Sequence, residues 1–300
     1  MPAASLTQRW VAGRLPQRPA RAHKGTFGRL LIVAGSLEYA GAALLTGLGA
    51  LRAGVGLACL ATPEAVGTRL LGLVPEMTSM LLVEEAPGLT APAGWRRLAV
   101  EAAAYDAVVV GPGLGRQPSI ARRIRHFIGE LGVPAVIDAD ALSALAETDR
   151  WWRGVRSSMI LTPHPGEFAR LARLPAGERL ADDDATRTDA ARDAAQRWGV
   201  VVVLKGAHTL IAAPGADPIR SAIATPALAT AGSGDVLAGV IGAFLAGGLT
   251  PLDAAGCGVA VHGAAGLLAE DRIGSAGVIA RDIAELVPEA IRQLRGGRQA

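Results

Sequence analysis

Cysteine is nearly absent: Cys59 and Cys257 are the only two in 300 residues. That excludes a disulfide framework and predicts buried free thiols in a reducing, cytoplasmic compartment. No Cys/His grouping has the spacing of a zinc site. Lysine is as scarce, since Lys24 and Lys205 are the only lysines among 30 basic residues. Both precede glycine, which suggests places that need a compact, flexible ammonium rather than a guanidinium fork. Acids are missing from residues 1–37, which hold Arg9, Arg14, Arg18, Arg21, Lys24 and Arg29. Only Trp10 and Phe27 interleave with those charges, so we expect no nucleic-acid partner and read residues 1–20 as a basic, solvated arm. The arm also lacks the apolar stretch of a signal peptide.

Long hydrophobic runs are short of what a bilayer requires. The uncharged runs 236–252 and 254–269 fall below about 18 apolar residues. Asp235, Asp253 and Glu270 bracket them. They read as Gly/Ala-rich helices buried in a core, with no membrane partner expected. The 38 glycines follow no fixed period, and no Pro/Gly/Ser-rich linker divides the chain. A single domain over residues 21–295 is expected.

What is present is a regular alternation. Strand-like runs at 29–35, 55–62, 106–113, 134–140, 158–167 and 199–206 are apolar on both faces, as buried parallel strands are. Helix-like runs separate them, at about 41–53, from Pro63, at 118–131, from Ala141, up to Arg173 and at 183–198. This pattern predicts an α/β fold, a mostly parallel central sheet with helices on both faces. The stretch 205–225 reads as short antiparallel strands at the sheet edge, and 87–94 as a loop. Ligands of such sheets sit at the carboxyl ends of strands.

Unusual residues collect at those ends. "AGSGDVLAGV" sets Gly232, Ser233 and Gly234 where backbone N–H groups at a helix N-terminus can hold an anion. Asp235 follows in the first helical turn, either as a base for an acceptor hydroxyl or as a helix-capping acid. "GPGLGR" (111–116) is not the dinucleotide fingerprint and reads as a tight turn close to a ligand or as a plain turn. "TPHPGE" (162–167) holds His164 between two prolines, with Glu167 in reach. "DADAL" offers Asp138 and Asp140, which either hold Mg²⁺ through waters or cap the next helix. "LKGAHT" (204–209) places Lys205 and Gly206 after a buried strand.

Taken in order, "HKGTFGRLLIVAGS", "YAGAALLTGLGALRAGVG", "VVVGPGLG", "VIDADAL", "LTPHPGE", "VLKGAHT" and "ATAGSGDVLAGVIGAFLAGG" resemble the NAD(P)H-hydrate dehydratases. The match runs from about residue 20 to 290. The resemblance implies a ribokinase-like three-layer sandwich and a carbon–oxygen lyase. Its substrate is the S form of hydrated NADH or NADPH, and ADP is the phosphate donor in bacteria. The arginine bias suggests a bacterial chain, hence ADP over ATP. The resemblance further implies Asp235 as the catalytic base. Ala42, Gly113, His164 and Asp235 would contact the hydrated cofactor. Lys205, Gly206, Ala207, His208, Thr209 and Gly234 would hold the adenine nucleotide, with Gly232, Ser233 and Gly234 as the anion hole. Mg²⁺, a homotetramer and a separate epimerase for the R form are implied as well; no metal ligand is named. One departure stands out: Ala224-Thr225-Pro226 occupies a place where the family usually has Gly-Asn-Pro. A related vitamin kinase and a non-catalytic nucleotide sensor are the competing readings.

Overall fold

In the computed structural model, residues 3–70, 72–155, 158–175, 177–178 and 180–296 are described. The chain begins with β1 (Ala4–Ser5) and α1 (Gln8–Ala12). Next come β2 (Arg29–Val33), α2 (Ala40–Ala53), β3 (Leu57–Pro63), α3 (Glu64–Leu70) and β4 (Thr78–Leu82). A small hairpin of β5 (Glu84–Ala86) and β6 (Leu89–Thr90) leads to α4 (Pro92–Glu101). The pattern then repeats as β7 (Ala107–Val110), α5 (Pro118–Glu130), β8 (Ala135–Ile137), α6 (Asp140–Ala146), β9 (Met159–Leu161), α7 (Pro165–Ala172), α8 (Asp184–Trp198) and β10 (Val201–Leu204). The chain closes with β11 (Leu210–Ala212), β12 (Ile219–Arg220), α9 (Ser233–Ala246), α10 (Pro251–Ile273) and α11 (Ala280–Leu294).

Ten strands form one sheet in the order β1-β12-β11-β10-β9-β8-β7-β2-β3-β4. Every neighbour pair is parallel except the two that β11 makes with β10 and β12. Strands that read as apolar on both faces are indeed buried on both: β7 and β10 are buried at every position. Two hydrophobic cores result, one on each face of the sheet. Helices α2, α9, α10 and α11 cover one face, and α4 to α8 pack against the other.

Four expectations change. The antiparallel segment is not the edge, because β1 pairs parallel to β12 through Ala4↔Ile219 and Ser5↔Arg220. Hence the basic arm is not a free lead-in along its whole length. Val11 and Leu15 are buried, and Arg14 forms an ion pair with Asp253 at 2.7 Å. The 87–94 loop is the turn of the β5–β6 hairpin followed by the first turn of α4, which begins at Pro92. The run 254–269 belongs to a longer helix. By length and composition α10 could cross a membrane, but most of its apolar stretch is buried inside the fold. Cys59 and Cys257 are both buried and free, as expected.

One contact positions the site. Helix α9 crosses α2 at backbone distance because both surfaces are glycine there. A Cβ on Gly239 would lie 2.0 Å from Thr46 O, and one on Gly49 would lie 2.4 Å from Val236 O. Any larger residue would push the two helices apart. The crossing sets the N-terminus of α9 beside the carboxyl ends of the parallel strands.

Candidate active site

Gly232 opens α9 in a left-handed conformation, φ 87°, which a side chain would strain. Asp235 is the third residue of the helix. The first-turn amides of a helix lack intrahelical acceptors, so they face outward as donors. The Ser233 N–H is an exception, because it donates to Thr230 O at 3.2 Å. The candidate anion hole is therefore carried by Gly232, Gly234 and Asp235 amides rather than by Ser233. The Ser233 side chain turns inward, with Oγ 3.0 Å from His262 Nε2.

Lys205 stands at the centre. It leaves the end of β10, and its Nζ donates to Asp138 Oδ1 at 2.8 Å and lies 3.9 Å from Glu167 Oε2. A Cβ on Gly234 would be 3.4 Å from the same nitrogen. Burial disfavours the ammonium, but the Asp138 and Glu167 carboxylates outweigh it and raise the Lys205 pKa above its ordinary value. Three strand ends and one helix N-terminus thus converge on one cation.

The surrounding acids are out of their usual range. Burial pushes Asp235 up to about 7, with Asp138 adding to the shift and Lys205 opposing it. Glu167 also rises to about 7 through burial, against the pull of Lys205. Asp140 is held apart from this group, accepting from Gly115 N–H at 2.9 Å and Arg116 Nε at 2.8 Å. The sequence left Mg²⁺ binding and helix capping open for Asp138 and Asp140. The structure instead pairs each with a cation.

His164 caps α7: its Nδ1 accepts the Gly166 N–H at 3.0 Å, and Glu167 Oε2 accepts the His164 N–H at 2.9 Å. An occupied Nδ1 lone pair leaves the ring proton on Nε2, which lies 3.5 Å from Glu167 Oε1. The His164 pKa is lowered by burial and then by Lys205, which keeps that neutral form dominant. Gly113 and Ala42 meet nearby. Gly113 has φ +64°, and a Cβ on it would lie 3.0 Å from the Ala42 Cβ. The proposed substrate contacts therefore share the strand-end side of the sheet.

Lys205 also borders a cavity of about 510 Å³. Lys205, Gly206, Ala207, Thr209, Ser233 and Gly234 line it, with Thr225 and His262. His208 is the exception among the expected nucleotide residues. Its ring turns to the Ser221 carbonyl, 3.3 Å from Nδ1, so it braces the hairpin rather than facing the cavity.

Two contributors escaped the sequence reading. Arg187 on α8 is buried and donates to Ala207 O at 2.7 Å and Lys205 O at 3.2 Å, so it shapes the Lys-Gly loop. Nothing in a polar helix pattern marks it. His262 on α10 also contacts Ser233 O at 3.0 Å, and burial pushes it down to about 4. A lone histidine inside an otherwise uncharged run was its available signal. Thr225 answers the question its substitution raised. Its hydroxyl donates to Glu270 Oε2 at 2.6 Å and accepts from Ala227 N–H at 3.1 Å, so it is fully engaged.

A mostly parallel sheet with helices on both faces is the ribokinase-like fold. In line with that, a ribokinase-like superfamily protein from Enterococcus faecalis superposes with a TM-score of 0.78 over 97% of this chain and 96% of that one. At 22% identity this shows the fold alone. Within the class, the chain belongs to the NAD(P)H-hydrate dehydratase family, whose profile matches residues 30–289. It is 34% identical to the ADP-dependent (S)-NAD(P)H-hydrate dehydratase of Bacillus subtilis, across 94% of this chain and 95% of that protein. The crystal structure of the B. subtilis ADP/ATP-dependent NAD(P)H-hydrate dehydratase, grown with ATP/Mg²⁺, superposes with a TM-score of 0.82 at 33% identity, covering 98% and 99% of the two chains. A bifunctional NAD(P)H-hydrate repair enzyme from Moorella thermoacetica is 39% identical over 96% of this chain. The chain spans about half the length of that relative, 54%.

Proposed function

We propose that the chain dehydrates the S form of hydrated NADH or NADPH at the expense of ADP. The observation that carries this reading is the meeting at Lys205. Its ammonium pairs with Asp138 and acts on Asp235, and it lines the cavity together with Gly206, Ala207, Thr209 and Gly234.

A ring hydroxyl is a poor leaving group, and phosphorylation makes it a good one. Asp235 takes the hydroxyl proton while the oxygen attacks the terminal phosphorus of ADP, and AMP departs. The Gly232, Gly234 and Asp235 amides and the Lys205 ammonium hold the charge that develops on the phosphoryl oxygens. The ring-nitrogen lone pair then expels phosphate from C6. Loss of the C5 proton forms the C5=C6 bond and returns the reduced cofactor. An Asp235 pKa near 7 suits a base working near neutrality.

Mg²⁺ is commonly held by one or two carboxylates plus substrate phosphates. Among the described residues, no group of three His, Cys, Asp or Glu is placed to hold a metal ion. Asp138 is already committed to Lys205. These side chains do not build a metal cage of their own. We infer in addition a homotetramer, an epimerase activity as the partner that acts on the R form, and action in the cytoplasm. The two free buried thiols agree with a cytoplasmic setting.

The test is to mix purified protein with hydrated NADH and ADP and follow the absorbance band of the reduced cofactor. Growth of the band with stoichiometric AMP and phosphate is expected. ADP binding without turnover would instead favour the nucleotide sensor. Phosphorylation of a vitamin alcohol with no action on hydrated NADH would favour the kinase.

A further inference from the structure

A second cavity, of about 440 Å³, lies where α2, α9 and α11 end. The active site sits instead at the start of α9. Arg18, Arg52 and Arg295 line this cavity, and among the described residues no acidic one does. Its apolar walls come from Phe27, Phe244 and Ile291.

The arginines have partial structural duties. Arg18 Nη2 donates to Gly54 O at 2.9 Å, and its Cζ stacks 3.8 Å above the Phe27 ring. Arg295 donates to Pro16 O. Arg52 is exposed in the last turn of α2. Capping helix C-termini is the plain explanation for such residues, so the charges need to be weighed. Three C-termini supply roughly −0.5 each, about −1.5 in all. Three guanidiniums supply +3. Roughly +1.5 is left over beside an apolar wall. Burial, and after it the neighbouring Arg18 charge, lowers the Arg295 pKa. An anion would offset the excess charge.

Two of the three arginines, Arg18 and Arg295, fall outside the 30–289 span of the family match. Arg18 belongs to the acid-free N-terminal stretch, whose charge the dehydratase reading does not use.

We propose that this cavity is a separate binding site for a small phosphate monoester with an apolar body. The phosphate would take the guanidinium forks of Arg18, Arg52 and Arg295, and the apolar part would lie against Phe27, Phe244 and Ile291. Planar guanidiniums match phosphate geometry through paired N–H bonds, and the volume admits an aryl or glycosyl group.

The test uses the full chain and phenyl phosphate as the probe, titrated by calorimetry, with phenol as the neutral control. Arg52→Gln removes the arginine that makes no hydrogen bond among the described residues, so the fold is expected to persist. An unchanged melting temperature checks that. Phenyl phosphate affinity at this site should fall about tenfold or more, the usual loss for a hydrogen bond to a charged group. ADP affinity and dehydratase turnover should be unchanged, which separates this site from the active site. Arg52→Lys, keeping charge without the fork, should fall between the two. Superimposable isotherms for the wild type and Arg52→Gln would overturn the proposal. So would phenol binding as well as phenyl phosphate, or no binding of phenyl phosphate to the wild type.

Discussion

Replacing Asp235 by asparagine separates a catalytic acid from a structural one, because the two roles predict opposite changes in stability. The folded pKa of Asp235 is pushed up to about 7 by burial, against an ordinary value of 3.8. Between about pH 4 and pH 7 the native state therefore binds more protons than the unfolded chain. The sign follows from linkage: stability from this group is fully present below about pH 4 and is lost as pH rises through 7. A shift of about three units is worth about 4 kcal/mol once the carboxyl is ionised in both states. Asp138 shares in the shift, so this is a ceiling rather than a mean. Asparagine keeps the shape and cannot ionise. The Asp235→Asn variant should gain little stability at pH 4 and progressively more toward pH 8. For a chain of this length roughly 1.5 °C accompanies each kcal/mol, so the gain at pH 8 has a ceiling of roughly 6 °C.

Turnover should move the other way, down by about 10²–10⁴. ADP should still bind, since the Gly232 and Gly234 amides are untouched. The assay is thermal unfolding of both proteins at four or five pH values, with turnover measured at pH 8. A helix-capping role predicts instead a pH-insensitive loss on the order of 1 kcal/mol with normal turnover. That outcome would refute the assignment of Asp235 as the base.

Other expectations follow from the same geometry. Gly206→Val should sharply weaken ADP binding by calorimetry, because φ is +145° and a Cβ would sit 2.6 Å from Arg187 Nη2; unchanged affinity would remove the loop from the nucleotide site. His164→Ala should raise KM for the hydrated cofactor with ADP affinity near normal; loss of ADP binding instead would mean the two pockets are reversed. Lys205→Met should lower stability at pH 8 by about 3–5 kcal/mol, the cost of stranding buried carboxylates. Denaturant titration should show a smaller loss at pH 5, where Glu167 is protonated, and an equal loss at both pH values would contradict the buried-pair account. Wild-type kcat should rise with pH through about 7 as Asp235 ionises, and a flat profile from pH 5 to 8 would count against a base with that pKa.

The layered fold was legible because its central strands carry the signal themselves. β2, β7, β8, β9 and β10 are buried on both faces, so an uninterrupted apolar run marks each one. β4 was missed for the opposite reason: it lies at an edge, and its exposure varies along Thr78–Leu82. β1 has two residues, both exposed, and exists only because β12 offers a partner. No local pattern encodes such a strand.

The site divides along the same line. Asp235, His164 and Lys205 sit in short motifs whose glycines and prolines announce an unusual backbone. What the motifs omit is who meets whom. Lys205 and Asp138 are 67 positions apart, and Ser233 and His262 are 29 apart. Those pairings depend on strand order and on how the helices cross, and α9 crosses α2 closely at Gly49–Val236 and Thr46–Gly239. The small residues along α2 and α9 thus set where the first turn of α9 points. A substitution at Gly239, which touches no part of the active site, would push α9 off α2 and carry Asp235 away from Lys205. The uncharged helix behind the motif is for that reason part of the apparatus that aims the base.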